Sequence, residues 1–214
     1  MDALRTYLQS PEYLAVEGWC TPEKALKLLE VVETYKAKTC VELGVHGGKS
    51  LLPIAVAAGE GSTVIGVDAW AASASTEGTN DKANDDWWKT IDYDYFFKYT
   101  RNLLDKHGCS HVKLWRDKSA NVFHKFEDAS IDLLHQDSNH SEEVSCAEVG
   151  LYWNKVRPAG IWVFDDTNWP TTQKAQALLE TKGYSCLYDS GSWKVYQRRY
   201  VSMSAFLTCN SPTL

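Results

Sequence analysis

No two of the six cysteines (Cys20, Cys40, Cys109, Cys146, Cys186 and Cys209) form a C-x-x-C pair. That removes zinc knuckles and thioredoxin-type redox sites. Cys40 and Cys146 sit in apolar patterns and read as buried thiols. No apolar run is long enough to span a bilayer, and the charged stretch behind Met1 has no signal-peptide core. Basic charge is scarce too. Lys and Arg number 22 against 28 Asp and Glu, a net charge of −6, and the cations are scattered. Non-specific nucleic-acid binding and adhesion to an anionic membrane both need clustered Lys and Arg, so neither is expected. No internal repeat is visible. The chain reads as soluble and cytoplasmic.

The 214 residues, 44% hydrophobic and 23% charged, suit one globular domain. We place that domain at residues 1–200 and a patternless tail at 201–214. Nine tryptophans exceed what a core of this size requires. Trp70, Trp87 and Trp88 lie in a polar stretch, where they either anchor a loop or form a wall for a ligand.

Short β-like runs alternate with helix-like segments, the pattern of a mostly parallel sheet covered on both faces. The spacing predicts strands at Thr39–Leu43, Thr63–Val67, His111–Trp115, Ile131–His135 and Ile161–Phe164, then a terminal pair at Tyr184–Tyr188 and Lys194–Gln197. Helices are predicted at Gly47–Ala58, Tyr95–Lys106, Glu142–Val156 and Thr171–Lys182, the last closed by Gly183. Two more precede the first strand, Asp2–Gln9 and Pro22–Lys36, the second opened by Thr21 as N-cap and Pro22. A long polar insertion separates Trp70 from Asp94, and its residues 71–94 are expected to act as a lid.

The first strand runs into V-E-L-G-V-H-G-G-K-S. In a doubly wound sheet this turn lies at the carboxyl end of a strand, where ligands bind. Gly44 and Gly47 let the backbone come close to a ligand. A P-loop would need G-x-x-x-x-G-K-[ST], and the residue five before Gly48 is Leu43. A dinucleotide fingerprint, G-x-G-x-x-G, is broken by Val45-His46. Glu42 opposes phosphate at this place and suits a ligand with positive charge or hydroxyl and amine donors. S-adenosylmethionine is such a ligand, and Asp68, ending the second strand, can accept both of its ribose hydroxyls.

E-L-G-V-H-G-G-K-S followed by V-I-G-V-D resembles the first two motifs of class I S-adenosylmethionine-dependent methyltransferases. The resemblance implies a Rossmann-like, doubly wound α/β fold. Its mostly parallel sheet would have seven strands, the last antiparallel, with extra N-terminal helices. It also implies that Glu42, Gly44, His46, Gly47 and Ser50 lie near the methionine end and Asp68 at the ribose. Lys118 and Ser119 would lie by the adenine, and Asp137 by the cofactor.

The fourth strand continues into Q-D-S-N-H and the fifth into F-D-D-T-N-W-P. Asp137, Asp165 and Asp166 would then gather at one edge. Like charges held together call for a cation, and an oxygen-rich set suits magnesium or manganese. The D-x-x-H and F-D-D-x-N-W-P pattern is similar to the metal-dependent O-methyltransferases of macrolide and rhamnosyl sugars and to cephalosporin hydroxylase-like proteins. Those relatives carry Asp-Gly where this chain has Asp137-Ser138. Catechol O-methyltransferases share the acids but place a lysine where His140 stands.

The expected activity is therefore metal-dependent O-methylation of a small molecule or glycan, first a sugar diol and second a catechol. His140 would be the general base, assisted by Asp137. Trp70, Trp87, Trp88 and Asn168 are candidate acceptor contacts. A non-catalytic S-adenosylmethionine-binding domain and a P-loop NTPase are the rivals. A homo-oligomer is compatible with the composition.

Overall fold

The apolar runs pair side by side, and the sheet follows from their order. A computed structural model describes residues 2–200, and the expected tail, 201–214, lies outside the described residues. Seven strands form one sheet: β1 Thr39–Leu43, β2 Thr63–Asp68, β3 Lys113–Arg116, β4 Ile131–Gln136, β5 Val156–Phe164, β6 Tyr184–Asp189 and β7 Lys194–Arg198. Their order is β3-β2-β1-β4-β5-β7-β6. β1 pairs in parallel with β2 and β4, β2 with β3, and β4 with β5. β7 is antiparallel to both β5 and β6. This is the doubly wound, mostly parallel sheet expected, with its last strand reversed.

Successive strand residues point to opposite faces, and each face has its own core. Cys40, Leu133, Ile161 and Val163 pack with helices α3 (Pro22–Tyr35) and α4 (Leu51–Ala58). Val41, Leu43, Leu134, Trp162 and Phe164 pack with α9 (Glu142–Tyr152) and α10 (Gln173–Thr181). Each fully buried large side chain contributes about 1.5–3 kcal/mol. The remaining helices are α1 (Asp2–Tyr7), α2 (Pro11–Leu14), α5 (Ala72–Ser75), α6 (Lys82–Trp88), α7 (Tyr93–Lys106) and α8 (Ser119–Val122). Among the described residues no helix is long and apolar enough to cross a membrane.

Several boundaries differ from expectation. The helix expected from Gly47 begins only at Leu51, because His46 and Gly48 take left-handed backbone and close a turn, Gly48 N–H to Val45 O at 2.8 Å. β3 starts at Lys113, and the helix expected to reach Val156 ends at Tyr152, where β5 takes Val156 into the ladder. Within the insertion, residues 71–94 carry α5, α6 and the start of α7, capped by the Asp92 carboxylate at Tyr95 N–H.

The strand ends are level. Leu43 stands opposite Val67 on one side and Gln136 on the other, and Gln136 stands opposite Phe164. The ladder runs one residue further. Gly44 N–H bonds Val67 O at 2.9 Å, Asp137 N–H bonds Leu43 O at 2.8 Å, and Asp165 N–H bonds Gln136 O at 3.0 Å. Gly44, Asp68, Asp137 and Asp165 thus form a row along one edge, where the strand order changes direction and a crevice must open.

Candidate active site

That edge opens into a cleft of about 790 Å³. Of the expected residues, Gly44, His46, Ser50, Asp68, Trp70, Trp87, Trp88, Lys118, Ser119, Asp137, His140, Asp165 and Asp166 line it; Glu42, Gly47 and Asn168 do not.

The glycine turn is held together by Asp68. Its Oδ2 accepts the N–H groups of Val45 and His46, both at 2.9 Å, and its Oδ1 accepts Trp70 N–H at 2.6 Å. A carboxylate offers about four lone-pair sites. Three are filled by backbone N–H groups, so Asp68 shapes the turn while it lines the cleft with one lone-pair site open. A Cβ on Gly44, whose φ is +82°, would stand 2.0 Å from Asp137 O, so only glycine permits β1 and β4 to end this close. A Cβ on Gly47 would stand 2.6 Å from Glu17 O. Gly47 therefore permits the close approach of the N-terminal segment.

Trp70 lines the cleft but is packed into the core. It is 2% exposed, meets Phe97 edge-on, and donates from Nε1 to His46 O at 3.0 Å. Thr100 Oγ1 donates to the same carbonyl at 2.7 Å. His46 itself lies between Phe96 and Trp19, with ring centroids 4.0 and 5.4 Å away. Burial pushes its pKa below the usual histidine value.

Glu42 lies beneath the cleft floor, fully buried. Ser50 Oγ donates to its Oε1, and His135 Nδ1 lies 3.0 Å from the same oxygen. Ser50 lines the cleft while binding Glu42, so the serine stands between the glutamate and the cleft. Glu42 Oε2 has no partner. A buried carboxylate oxygen left open favours a cationic ligand group nearby.

At the far end, Lys118 reaches across to Glu77 at 2.7 Å, tying the segment before α8 to the insertion. Ser119 Oγ donates to Glu148 Oε1 at 2.6 Å. Glu148, 1% exposed, also accepts from Ser138 Oγ and Gln136 Nε2. Burial pushes its pKa up to about 7 against these three hydrogen bonds. Sequence reasoning missed Glu148, which reads there as one more polar position of an ordinary helix.

Asp137, Asp165 and Asp166 gather as expected, but a cation already stands among them. Lys24, 3% exposed, donates from Nζ to Asp137 Oδ2 at 3.2 Å and to Asp165 Oδ2. Thr21 caps α3 by accepting Lys24 N–H at 3.2 Å, so the first turn of that helix carries the lysine into the site. Burial opposes the ammonium charge, yet Asp137 and Asp165 outweigh it and hold the Lys24 pKa above its ordinary value. Burial would raise Asp165, whereas Lys24 brings it down to about 2. Asp137 is pushed well up, by burial first and by the Asp165 charge second.

Among the described residues, the group whose ligand atoms converge within 4.8 Å of one another is Glu42, His135 and Asp137, not the three aspartates. Glu42 and His135 are fully buried and bonded to each other, and Asp137 Oδ2 faces the ammonium. These residues do not fit a divalent ion as they stand.

His140 projects from the turn after β4. Its Nε2 lies 3.3 Å from Asp166 Oδ2 and 3.8 Å from Asp137 Oδ1, and makes no hydrogen bond. Its ring rests against Trp169, 5.2 Å between centroids. Burial lowers its pKa, outweighing the nearby acids. Asn168 is exposed and stands outside the cleft; its neighbour Trp169 lines it instead.

Trp19, also missed in the sequence, closes the mouth. It is 67% exposed and meets Trp87 and Trp88 edge-on at 5.3 and 5.9 Å. Lys49, the residue that suggested a P-loop, donates to Leu14 O at 3.1 Å and Gly18 O at 3.2 Å. Its ammonium serves those backbone carbonyls, not a phosphate.

Sheet order, glycine turn and strand-end acids together define a class I S-adenosylmethionine-dependent methyltransferase. Residues 41–167 match the model of a family described as a methyltransferase domain; this is more than half of the chain, which belongs to that family. Similar solved structures include a Corynebacterium glutamicum protein, 14% identical with a TM-score of 0.64, covering 95% of this chain and 93% of that one. The O-methyltransferase TomG of Streptomyces achromogenes, involved in tomaymycin synthesis and solved with S-adenosylmethionine, is 12% identical with a TM-score of 0.61 and coverages of 92% and 86%. A Bacillus cereus O-methyltransferase, solved with S-adenosylhomocysteine, is 14% identical with a TM-score of 0.56 and coverages of 91% and 86%. No curated protein matches the chain.

Proposed function

We propose that the protein moves a methyl group from S-adenosylmethionine to a hydroxyl oxygen of a small molecule or glycan. The observation that carries this reading is His140, whose Nε2 makes no hydrogen bond and lies beside Asp137 and Asp166 in the same cleft as the glycine turn. When bound, S-adenosylmethionine supplies an electrophilic methyl and keeps the electrons of the broken C–S bond on sulfur. The turn from Gly44 to Ser50 holds its methionine end, with the open oxygen of Glu42 behind. Asp68 has one lone pair left for a ribose hydroxyl, and Ser119 stands toward the adenine.

His140 Nε2 takes the acceptor's proton as its oxygen attacks. Much of the acceleration comes from holding donor and acceptor together. The aromatic faces of Trp19, Trp87, Trp88 and Trp169 suit the apolar face of a sugar ring or an aromatic ring. A sugar diol is the favoured acceptor and a catechol the second. The insertion carrying α6 would act as a lid over it. The magnesium or manganese clamp expected from the sugar branch is not part of this reading, because Lys24 occupies the acid pair.

The test uses methyl-labelled S-adenosylmethionine with a panel of glycans and catechols. Transfer of label to a hydroxyl is the expected result. Cofactor binding with no transfer to any member would favour a non-catalytic binding domain.

A further inference from the structure

Three carboxylates at one crevice need compensation, and the chain supplies it itself. Two of the three N–H groups of Lys24 go to Asp137 and Asp165. Lys24 also lines the cleft, so the third is left for a ligand there. Its position is fixed from three sides: the α3 cap at Thr21, the two acids, and burial to 3% exposure. A lysine at the first turn of an amphipathic helix would ordinarily extend into water and keep its rotamer freedom. Here it is held rigid at the place where a divalent ion would bridge the acids.

We propose that Lys24 is the resident cation of this site: its ammonium replaces a divalent metal, neutralises the Asp137–Asp165 pair and hydrogen-bonds the acceptor oxygen as that oxygen loses its proton. The inference rests on the methyl-transfer reading above. The acceptor oxygen gains the methyl, its proton passes to His140 Nε2 and on to solvent, and Lys24 keeps its own protons throughout. A fixed ammonium stabilises developing negative charge without reorganising, the same service an oxyanion hole gives. Because Asp137 and Asp165 are already paired, a divalent ion would have to displace a buried ammonium to bind.

Metal binding is measured first, on the whole protein with S-adenosylhomocysteine present, by loss of the free Mn²⁺ resonance signal. Wild type should leave the signal unchanged. Lys24→Met, which vacates the cation position and leaves both acids, should bind one Mn²⁺ per chain. Label transfer by wild type should survive exhaustive chelation, fall by about 10² in Lys24→Met, and partly return in Lys24→Arg. A wild type that binds one Mn²⁺, with the binding lost in Asp165→Asn, would overturn the proposal without any need for the lysine variants to fold. So would a folded Lys24→Met that transfers at the wild-type rate. Failure of the methyl-transfer reading looks different: wild type would show no heat with S-adenosylhomocysteine, whatever Mn²⁺ does.

Discussion

Ser138 Oγ donates to Glu148 Oε2 over 2.7 Å, joining the turn after β4 to the buried face of α9. The resemblance of the sequence led to an expectation of glycine at that position, and here the hydroxyl has a defined partner. Gln136 and Ser119 donate to the same carboxylate, so one buried acid ties β4, α8 and α9 together.

Glu148 should make stability fall with pH. Its folded pKa is near 7 against an ordinary 4.5, so the folded state holds a proton that the unfolded state has released. The stabilisation is whole below the unfolded value and is lost as pH rises through the folded one. Each pH unit in that window removes about 1.4 kcal/mol, a few kcal/mol in all. The wild-type minus Glu148→Gln difference in urea-unfolding free energy should decline from pH 5 to 8. A flat or rising difference would remove Glu148 from this role.

Gly44 and Gly59 have similar positive φ, +82° and +75°, but only Gly44 faces another backbone. Gly59→Ala should cost about 1–3 kcal/mol, the conformational penalty alone. Gly44→Ala should cost about 3 kcal/mol or more and abolish S-adenosylhomocysteine binding, since β1 and β4 must part. Equal costs in denaturant unfolding would show that the close approach is unimportant.

Asp68→Asn should lower stability and cofactor affinity together. An amide has one acceptor oxygen for three backbone donors, and its own N–H₂ faces some of them. The expected affinity loss is about tenfold to a hundredfold, from about 1–3 kcal/mol of broken charge-assisted bonds. Calorimetry and melting are read side by side. A variant with unchanged melting and weakened binding would return Asp68 to a purely ligand-holding role.

His140→Ala should reduce kcat by about 10²–10⁴ and leave S-adenosylhomocysteine affinity intact. Burial holds the imidazole pKa below 6.5, so the base is available at neutral pH and is lost as pH falls through that lower value. The acidic limb of the kcat profile should lie below pH 6.5 and be absent in the variant. An unchanged limb would assign it to another group.

Trp19→Ala should raise the acceptor KM by about tenfold, consistent with losing one aromatic face of about 1.5 kcal/mol, with cofactor binding unaffected. Trp87→Ala and Trp88→Ala should act in the same direction, because both rings rest on Trp19. Normal KM values in all three would leave the insertion without a role in acceptor binding.

The sheet was legible because each strand is a short apolar run ending in a turn signal, and parallel pairing fixes which ends coincide. Asp137, Asp165 and His140 were legible for the same reason. What escaped depends on long-range contact. Lys24 is 113 and 141 positions from its acid partners, and in the sequence it is one more charged residue of an amphipathic helix. The turn-shaping contacts of Asp68 were not legible, because backbone N–H groups of a tight turn leave no mark in residue type. The metal expectation followed from counting acids without the lysine that folds in among them. The helices within the insertion left no periodic signal because α5 and α6 are only four and seven residues long.

The family match begins at residue 41, after both Lys24 and Trp19. The part of the chain that declares its kinship is thus separate from the part that sets the charge and the mouth of its cleft. Lys49 clamps the two together through the Leu14 and Gly18 carbonyls. An N-terminal segment exchanged between relatives could carry a new electrostatic character onto an unaltered sheet. Divergence in such a lineage would then be sought upstream of the shared block, in a leader of helices rather than in the strands.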